Sequence, residues 1–449
     1  MPGRSVIVVG AGLAGLTAAL DLANGGWQVT LLERRPFAGG RTFSFPAEDG
    51  EPLDNGQHLF LGCCSAYVAL LHRLGQWHQA RLQPTLQLRI VDSELGSAWL
   101  REAPLPAPLH LVASLLRLPY LSPREKAAVL PALALIRTRA LPEDETFAAW
   151  LARHGQSTNA VARLWNLIVV PTCNAPAELV SASMGGFVFR EGLLLRAAGG
   201  RIGWSQVGLS ELVPEAALRQ LRPRGARLRF GLGVERVELK SGRARALIGT
   251  AGEQLSADRY VLALPPAELR RVLPQPWTEP AGQLRSAPIV GISLWYDQPL
   301  FDGELLAAIV RGQALWLFNR SRLLRQNTAD HHIAVSISAA EAWMEVPKAE
   351  LAKRVAGLLA QLLPGAAAAK LLRWRVQKVR QATFVPAPGS RALRLPQATP
   401  VPNLYLAGSW TATNWPDTME SAVRSGQAAA QLAINSWPPG PGSDPQTPL

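Results

Sequence analysis

What the chain lacks narrows it first. Its 449 residues include three cysteines, Cys63, Cys64 and Cys173, too few for a disulfide framework or a thiolate metal site. Adjacent Cys63 and Cys64 would strain any bridge between them, so the three read as buried thiols of a reducing cytosol. His331 and His332 are neighbours on a strand-like stretch, which points their rings to opposite faces and argues against shared ligation of a metal. No metal site is expected. No apolar run is long enough to span a bilayer. The longest uncharged stretch, residues 395–416, contains four prolines and reads as a strand and loops. Acids are scarce as well: 33 against 46 Lys and Arg, a formal net charge of +13. The excess is mostly arginine spread along the chain, without a basic block or a nucleic-acid motif. Nucleic acid is therefore not the expected partner, and an anionic membrane surface is the better use of the charge.

What is present begins with a globular composition, 48% hydrophobic and 18% charged, long enough for two large or three smaller domains. Residues 1–41 organise the rest. A strand-type run over 5–10 leads into Gly10-Ala-Gly12-Leu-Ala-Gly15, and 13–24 carry apolar residues at helical spacing. Gly25 and Gly26 end that helix, and a second strand-type run closes at Glu33. The unit is a Rossmann-like strand–helix–strand. Its glycines serve a tight turn, close approach to a pyrophosphate and close helix–strand contact, and the helix N-terminus offers free N–H groups. Glu33 can accept hydrogen bonds from ribose hydroxyls. A leader peptide with Arg4 ahead of the apolar stretch is the competing reading, and it leaves the second strand and its acid without a purpose.

After Glu33 come Arg34, Arg35, then Gly39-Gly40-Arg41, then Asp54-Asn-Gly56-Gln57-His58. This resembles the amine-oxidase and carotenoid-desaturase branch of FAD enzymes. Near the other end, Ala407-Gly408-Ser409 and Thr418-Met419-Glu420 resemble the second FAD signature of that branch, a strand, a loop and a helix N-terminus aimed at the flavin. The resemblance implies FAD as cofactor, bound by Gly10, Gly12, Leu13, Ala14, Gly15, Glu33, Arg34, Gly39, Gly40, Arg41, Gly56, Gln57, His58, Val234, Ala263, Gly408, Ser409, Thr418, Met419 and Glu420. Arg41 would support the diphosphate, and N–H groups at 418–420 would stabilise charge on the reduced ring. Ser409 departs from the family, which usually has an acid there.

The implied fold is α/β: a discontinuous FAD-binding domain (1–82, 223–285, 386–435) and a mixed-sheet substrate domain (83–222 with a helical lid, and 286–385), with a disordered tail over 436–449. Residues 105–117 and 122–139 read as two short lid helices, the second opened by a capping box at Ser122 and Glu125. Leu109, Leu111, Val112, Leu115, Leu116 and Leu118 make an apolar surface wider than one helix needs. It fits a buried helical subdomain or a basic amphipathic lid on a bilayer. Residues 225–239 read as one strand.

Residues 53–64 and 413–422 narrow the resemblance to the squalene-associated FAD enzymes of the hydroxysqualene dehydroxylase type. It implies reduction of hydroxysqualene to squalene with loss of water, in isoprenoid (hopanoid) biosynthesis, by a cytoplasmic protein held peripherally at the inner membrane face. Carotenoid desaturases and amine oxidases remain as alternatives, as does a non-enzymatic FAD-binding or lipid-carrier protein. His58 and Asp54, nearest the flavin-facing loop, are the candidates for a proton donor. Equally, Asp54 reads as a turn residue and His58 as a packing residue.

Overall fold

The computed structural model describes residues 4–45, 53–92, 94–300, 306–309, 315–324 and 330–437. Its first sheet has five parallel strands in the order Arg227–Phe230, Gln28–Glu33, Ser5–Val9, Arg259–Leu262, Leu404–Leu406. Both faces are covered, so the inner strands Ser5–Val9 and Arg259–Leu262 are buried almost throughout, whereas the edge strand Arg227–Phe230 alternates exposed arginines with Leu228 and Phe230. Val6 and Val8 pack toward helices Leu13–Asn24 and Met419–Asn435, while Ile7 and Val9 pack toward a three-stranded antiparallel sheet over 234–255. Residues 225–239 thus form two strands. The chain turns at Gly231, where φ is +72°, so one half joins the parallel sheet and the other opens the antiparallel one.

The second large sheet has seven strands, from Leu371–Phe384 at one edge through Ser286–Tyr296, His331–Ile337, Leu315–Asn319, Leu306–Ile309 and Gln87–Asp92 to Gly96–Arg101. It is mixed: Leu306–Ile309 and Gln87–Asp92 run parallel, the other neighbours antiparallel. Leu351, Val355 and Leu359 of helix Lys348–Leu362 cover one face. A layer of helices covers part of the other. The sequence does not announce the edge strand Leu371–Phe384, because basic residues alternate along it as they do on edges that must not pair further.

The helical layer is part core and part surface. Helix Pro123–Thr138 starts on the expected capping box, with Ser122 and Glu125 each bonded to the other's backbone N–H. Val129, Ala132 and Ile136 face the core, as do Leu115 and Leu118. Leu105, Leu109, Leu116 and Leu130 are 40–53% exposed. The apolar surface of this segment is therefore narrower than its leucine count, and Leu115 belongs to the core. Cys63 and Cys173 are buried, but Cys64 is only half-buried. His332 is buried and His331 half-buried on one strand, and no metal-binding group occurs among the described residues. Among the described residues no helix is long and apolar enough to cross a membrane. Of the 436–449 tail, residues from 438 onward lie outside the described residues.

Candidate cofactor and active site

Parallel sheets collect ligands outside the carboxyl ends of their strands, and the expected cofactor residues gather at that edge. Ser5–Val9 runs into Gly10, Gln28–Glu33 ends on Glu33, Arg259–Leu262 leads to Ala263, and Leu404–Leu406 leads to Gly408. Val234 follows the strand Arg227–Phe230 and opens the antiparallel sheet. The glycine turn has no room for side chains: a Cβ on Gly15 would sit 1.8 Å from the Gly10 carbonyl oxygen. Gly10 has a φ of +99° and its Cβ would meet the Ala263 oxygen at 2.5 Å. The Gly39–Arg41 loop lies on this turn, with Gly39 N–H donating to the Ala11 carbonyl at 2.8 Å. Glu33 accepts from Ala11 N–H at 2.8 Å and Arg35 N–H at 3.0 Å. A carboxylate has about four acceptor positions, so it retains capacity for a ribose. Arg34 lies at the rim, paired with Glu268 at 3.0 Å.

Arg41 joins the two ends of the chain. Its Nη2 donates to Ser409 Oγ at 2.7 Å and to Asp417 Oδ1 at 2.8 Å, and its Nη1 to Asp417 Oδ2 at 3.1 Å and the Ala382 carbonyl. Burial raises the Asp417 carboxyl. The charge and hydrogen bonds of Arg41, with bonds from Ser409 and the Phe384 N–H, outweigh burial and hold it below its ordinary 3.8. A carboxylate therefore stands beside Ser409 although none is at 409. Sequence reasoning missed Asp417, whose only signal was its place eight residues on in the same loop.

The rest of the C-terminal signature is tied down. Buried Arg394 donates to the carbonyls of Ser409, Trp410 and Thr411, and burial lowers its pKa to about 10. Thr418 caps helix Met419–Asn435. The Glu420 side chain is turned away from that N-terminus, accepting from Ala66 N–H at 3.0 Å, Tyr67 N–H at 2.8 Å and Arg424. Only its backbone can serve a ligand at the helix start. The glycine cradle, the open helix N-terminus and the Arg41 cation fit a dinucleotide's diphosphate.

Asp54 and His58 lie on the loop that bridges to the seven-stranded sheet. Asp54 accepts from Ser44 Oγ at 2.7 Å, Leu209 N–H at 2.9 Å and the buried guanidinium of Arg320. A carboxylate so filled holds the loop in place, and Arg320, too, was not foreseen from sequence. His58 Nδ1 lies 2.9 Å from the Gly56 carbonyl, which can only accept, so Nδ1 carries the proton and Nε2 the lone pair. Desolvation, helped by Arg41 and Arg320, outweighs the Gly56 carbonyl and Asp54 and holds the ring below 6.5.

A cavity of about 380 Å³ opens between the helical layer and the C-terminal loop. Ile136, Leu141, Met184, Phe187, Phe384 and Pro386 line it, with Arg139, Arg190 and Arg391. Phe384 N–H donates to Asp417 at 2.9 Å, which joins the cavity wall to the Arg41 cluster.

A dinucleotide cradle beside an apolar cavity fits an FAD-dependent oxidoreductase, and the family match makes it one. The chain belongs to the family of flavin-containing amine oxidoreductases, whose model matches residues 13–434. It is 30% identical to hydroxysqualene dehydroxylase of Rhodopseudomonas palustris, over 96% of this chain and 98% of that one. It is 27% identical to zeta-carotene desaturase of Zea mays, covering 95% of this chain and 82% of the relative. Among solved structures it resembles cyclohexylamine oxidase from Brevibacterium oxydans, with a TM-score of 0.73 at 19% identity, covering 97% of this chain and 99% of that one.

Proposed function

We propose that the protein reduces hydroxysqualene, or a closely related isoprenoid alcohol, to the hydrocarbon with release of water. The observation that carries this reading is the match to hydroxysqualene dehydroxylases along almost the full length of both chains. The sum is R–OH plus FADH2 giving R–H, H2O and FAD, so carbon is reduced, flavin oxidised and the C–O bond broken. Bound reduced FAD would supply a hydride to the carbon and, as the second hydrogen of FADH2, the proton that leaves with the hydroxyl as water.

The chain's own contribution is to hold and shield. Gly10–Gly15, Glu33 and Gly39–Arg41 would hold the dinucleotide, and Arg41, Ser409 and Asp417 would fix the loop at its flavin end. The apolar walls around Phe187 and Phe384 would take the hydrocarbon chain and keep water from the carbon as the C–O bond breaks. Asp54 positions the Gly56–His58 loop through its bond to Arg320. His58, bonded to the Gly56 carbonyl, is neutral with its lone pair on Nε2. Substrate would arrive from the inner leaflet of a membrane, with exposed Leu105, Leu109, Leu116 and Leu130 entering the interface and the protein's basic surface meeting anionic headgroups.

Anaerobic incubation of photoreduced, FAD-loaded protein with hydroxysqualene tests this. The expected result is flavin reoxidation with one squalene formed per flavin. Reduction of FAD by phytoene, with no squalene formed from the alcohol, would replace the reading with a desaturase.

A further inference from the structure

A second, smaller cavity lies between the Asp54–Gln57 loop and the seven-stranded sheet. Gln57, Ser293, Arg320, His332, Arg375 and Gln377 are in its wall. Its volume is about 30 Å³ for the centre of a water-sized group. Roughly 10–15 Å³ of such space accommodates one. One or two oxygen-sized groups fit there, and a branched hydrocarbon does not.

The wall is built for hydrogen bonding. The Arg320 side chain is 3% exposed, fixed by Asp54 and by Gln57 Oε1 at 3.0 Å. A guanidinium carries five N–H donors, more than these two partners use. The ring of His332 is buried and stacks on Trp295 at 4.2 Å between centroids. Its Nε2 has no hydrogen-bond partner among the described residues. A buried polar atom left in this way is costly, and a ligand oxygen would satisfy it. One wall residue is also tied to the cofactor loop: Gln377 donates to Asn55 Oδ1, and Asn55 Nδ2 donates to the Arg41 carbonyl at 2.8 Å.

We propose that this cavity is an oxygen subsite that receives the hydroxyl of an alcohol substrate, with an Arg320 N–H donating to the oxygen and His332 Nε2 making the second hydrogen bond. The proposal rests on the alcohol-reducing reading above and names what selects the substrate. A protonated amine has no lone pair to accept from Arg320, and a pure hydrocarbon leaves both side chains unsatisfied.

The test uses the full-length, FAD-loaded protein, with binding followed through the flavin absorbance. The probes are farnesol, farnesylamine and the saturated hydrocarbon farnesane, and turnover of hydroxysqualene by photoreduced protein is measured in parallel. Wild type is expected to bind farnesol about tenfold more tightly than either other probe, the worth of one or two such hydrogen bonds. His332→Phe keeps a ring on Trp295 and removes Nε2, and Arg320→Lys keeps the charge beside Asp54 and loses the planar fork. Each should abolish most of the preference while farnesane affinity stays as in wild type, and His332→Phe should keep its flavin. If Arg320→Lys sheds flavin, His332→Phe decides alone. A preference that survives His332→Phe overturns the proposal, and so does a wild type with no preference, even one that forms squalene. A preference that depends on these residues in a protein that forms no squalene upholds the subsite and rejects the dehydroxylation reading.

Discussion

Arg41 donates to Ser409 and to both carboxylate oxygens of Asp417, so one side chain bonds the N-terminal glycine loop to the C-terminal signature. Arg41→Ala or Asp417→Asn should each weaken FAD retention by roughly tenfold or more, the worth of a charge-assisted bond. Flavin per protein after gel filtration measures it, and full retention in both variants would sink the assignment. From the sequence alone, Ser409→Asp is expected to keep or raise FAD affinity by restoring the family's acid. With Asp417 on the same guanidinium, a second carboxylate there is repelled, so Ser409→Asp is now expected to lose flavin and Ser409→Asp with Asp417→Asn to regain it. The pH dependence has a definite sign. A carboxyl depressed in the folded state stabilises fully above its ordinary 3.8, and that stability is lost as pH falls through the lower folded value. Acid release of flavin should shift in Asp417→Asn and not in a surface Asp→Asn control.

At the scale of elements, helix Pro123–Thr138 and the short helix Val112–Arg117 each present two kinds of leucine. Leu115 is 7% exposed and Leu116 53%. Leu109→Gln with Leu116→Gln should lower sedimentation with anionic liposomes and leave the melting temperature within a degree or two. Leu115→Gln buries an unsatisfied amide in the helical core and should destabilise by about 2–4 kcal/mol. A surface pair that melts early, or that sediments like wild type, would end the lid reading. The helix itself rests on its cap: hydrogen bonds from Ser157, then from Ser122 and Asn159, hold Glu125 near a pKa of about 2 against burial. That contribution is present above the ordinary 4.5 and fades toward pH 2.

For the molecule as a whole, the parallel sheet draws strands from residues 5–9, 28–33, 227–230, 259–262 and 404–406. A dinucleotide lying across their ends touches segments that meet only in the folded chain, and should therefore favour the native state by mass action. FAD at a hundred times its Kd contributes about 2.7 kcal/mol. Deflavinated protein should melt measurably lower than protein with excess FAD, by scanning calorimetry. No shift on adding FAD would mean that the cradle does not hold it.

The sequence alone determined the features whose physics is local. The glycines of 10–15, the acid at 33, the Gly-Gly-Arg loop and the capping box each state a turn, a helix start or a phosphate contact within a few neighbouring residues. Short apolar runs likewise marked the strands at 5–9 and 28–33. Only tertiary structure decided which charges meet. Asp54 and Arg320 pair across a separation of 266 residues, and Arg41 finds Asp417 across 376. It likewise decided that the Glu420 carboxylate accepts from the first-turn N–H groups of helix Ser65–Arg73 rather than facing the cofactor, and that Leu115 is core while Leu116 is not. A charge in a sequence carries no mark of its partner, because pairing is set by how distant segments pack, and the same packing decides which side of a helix meets water.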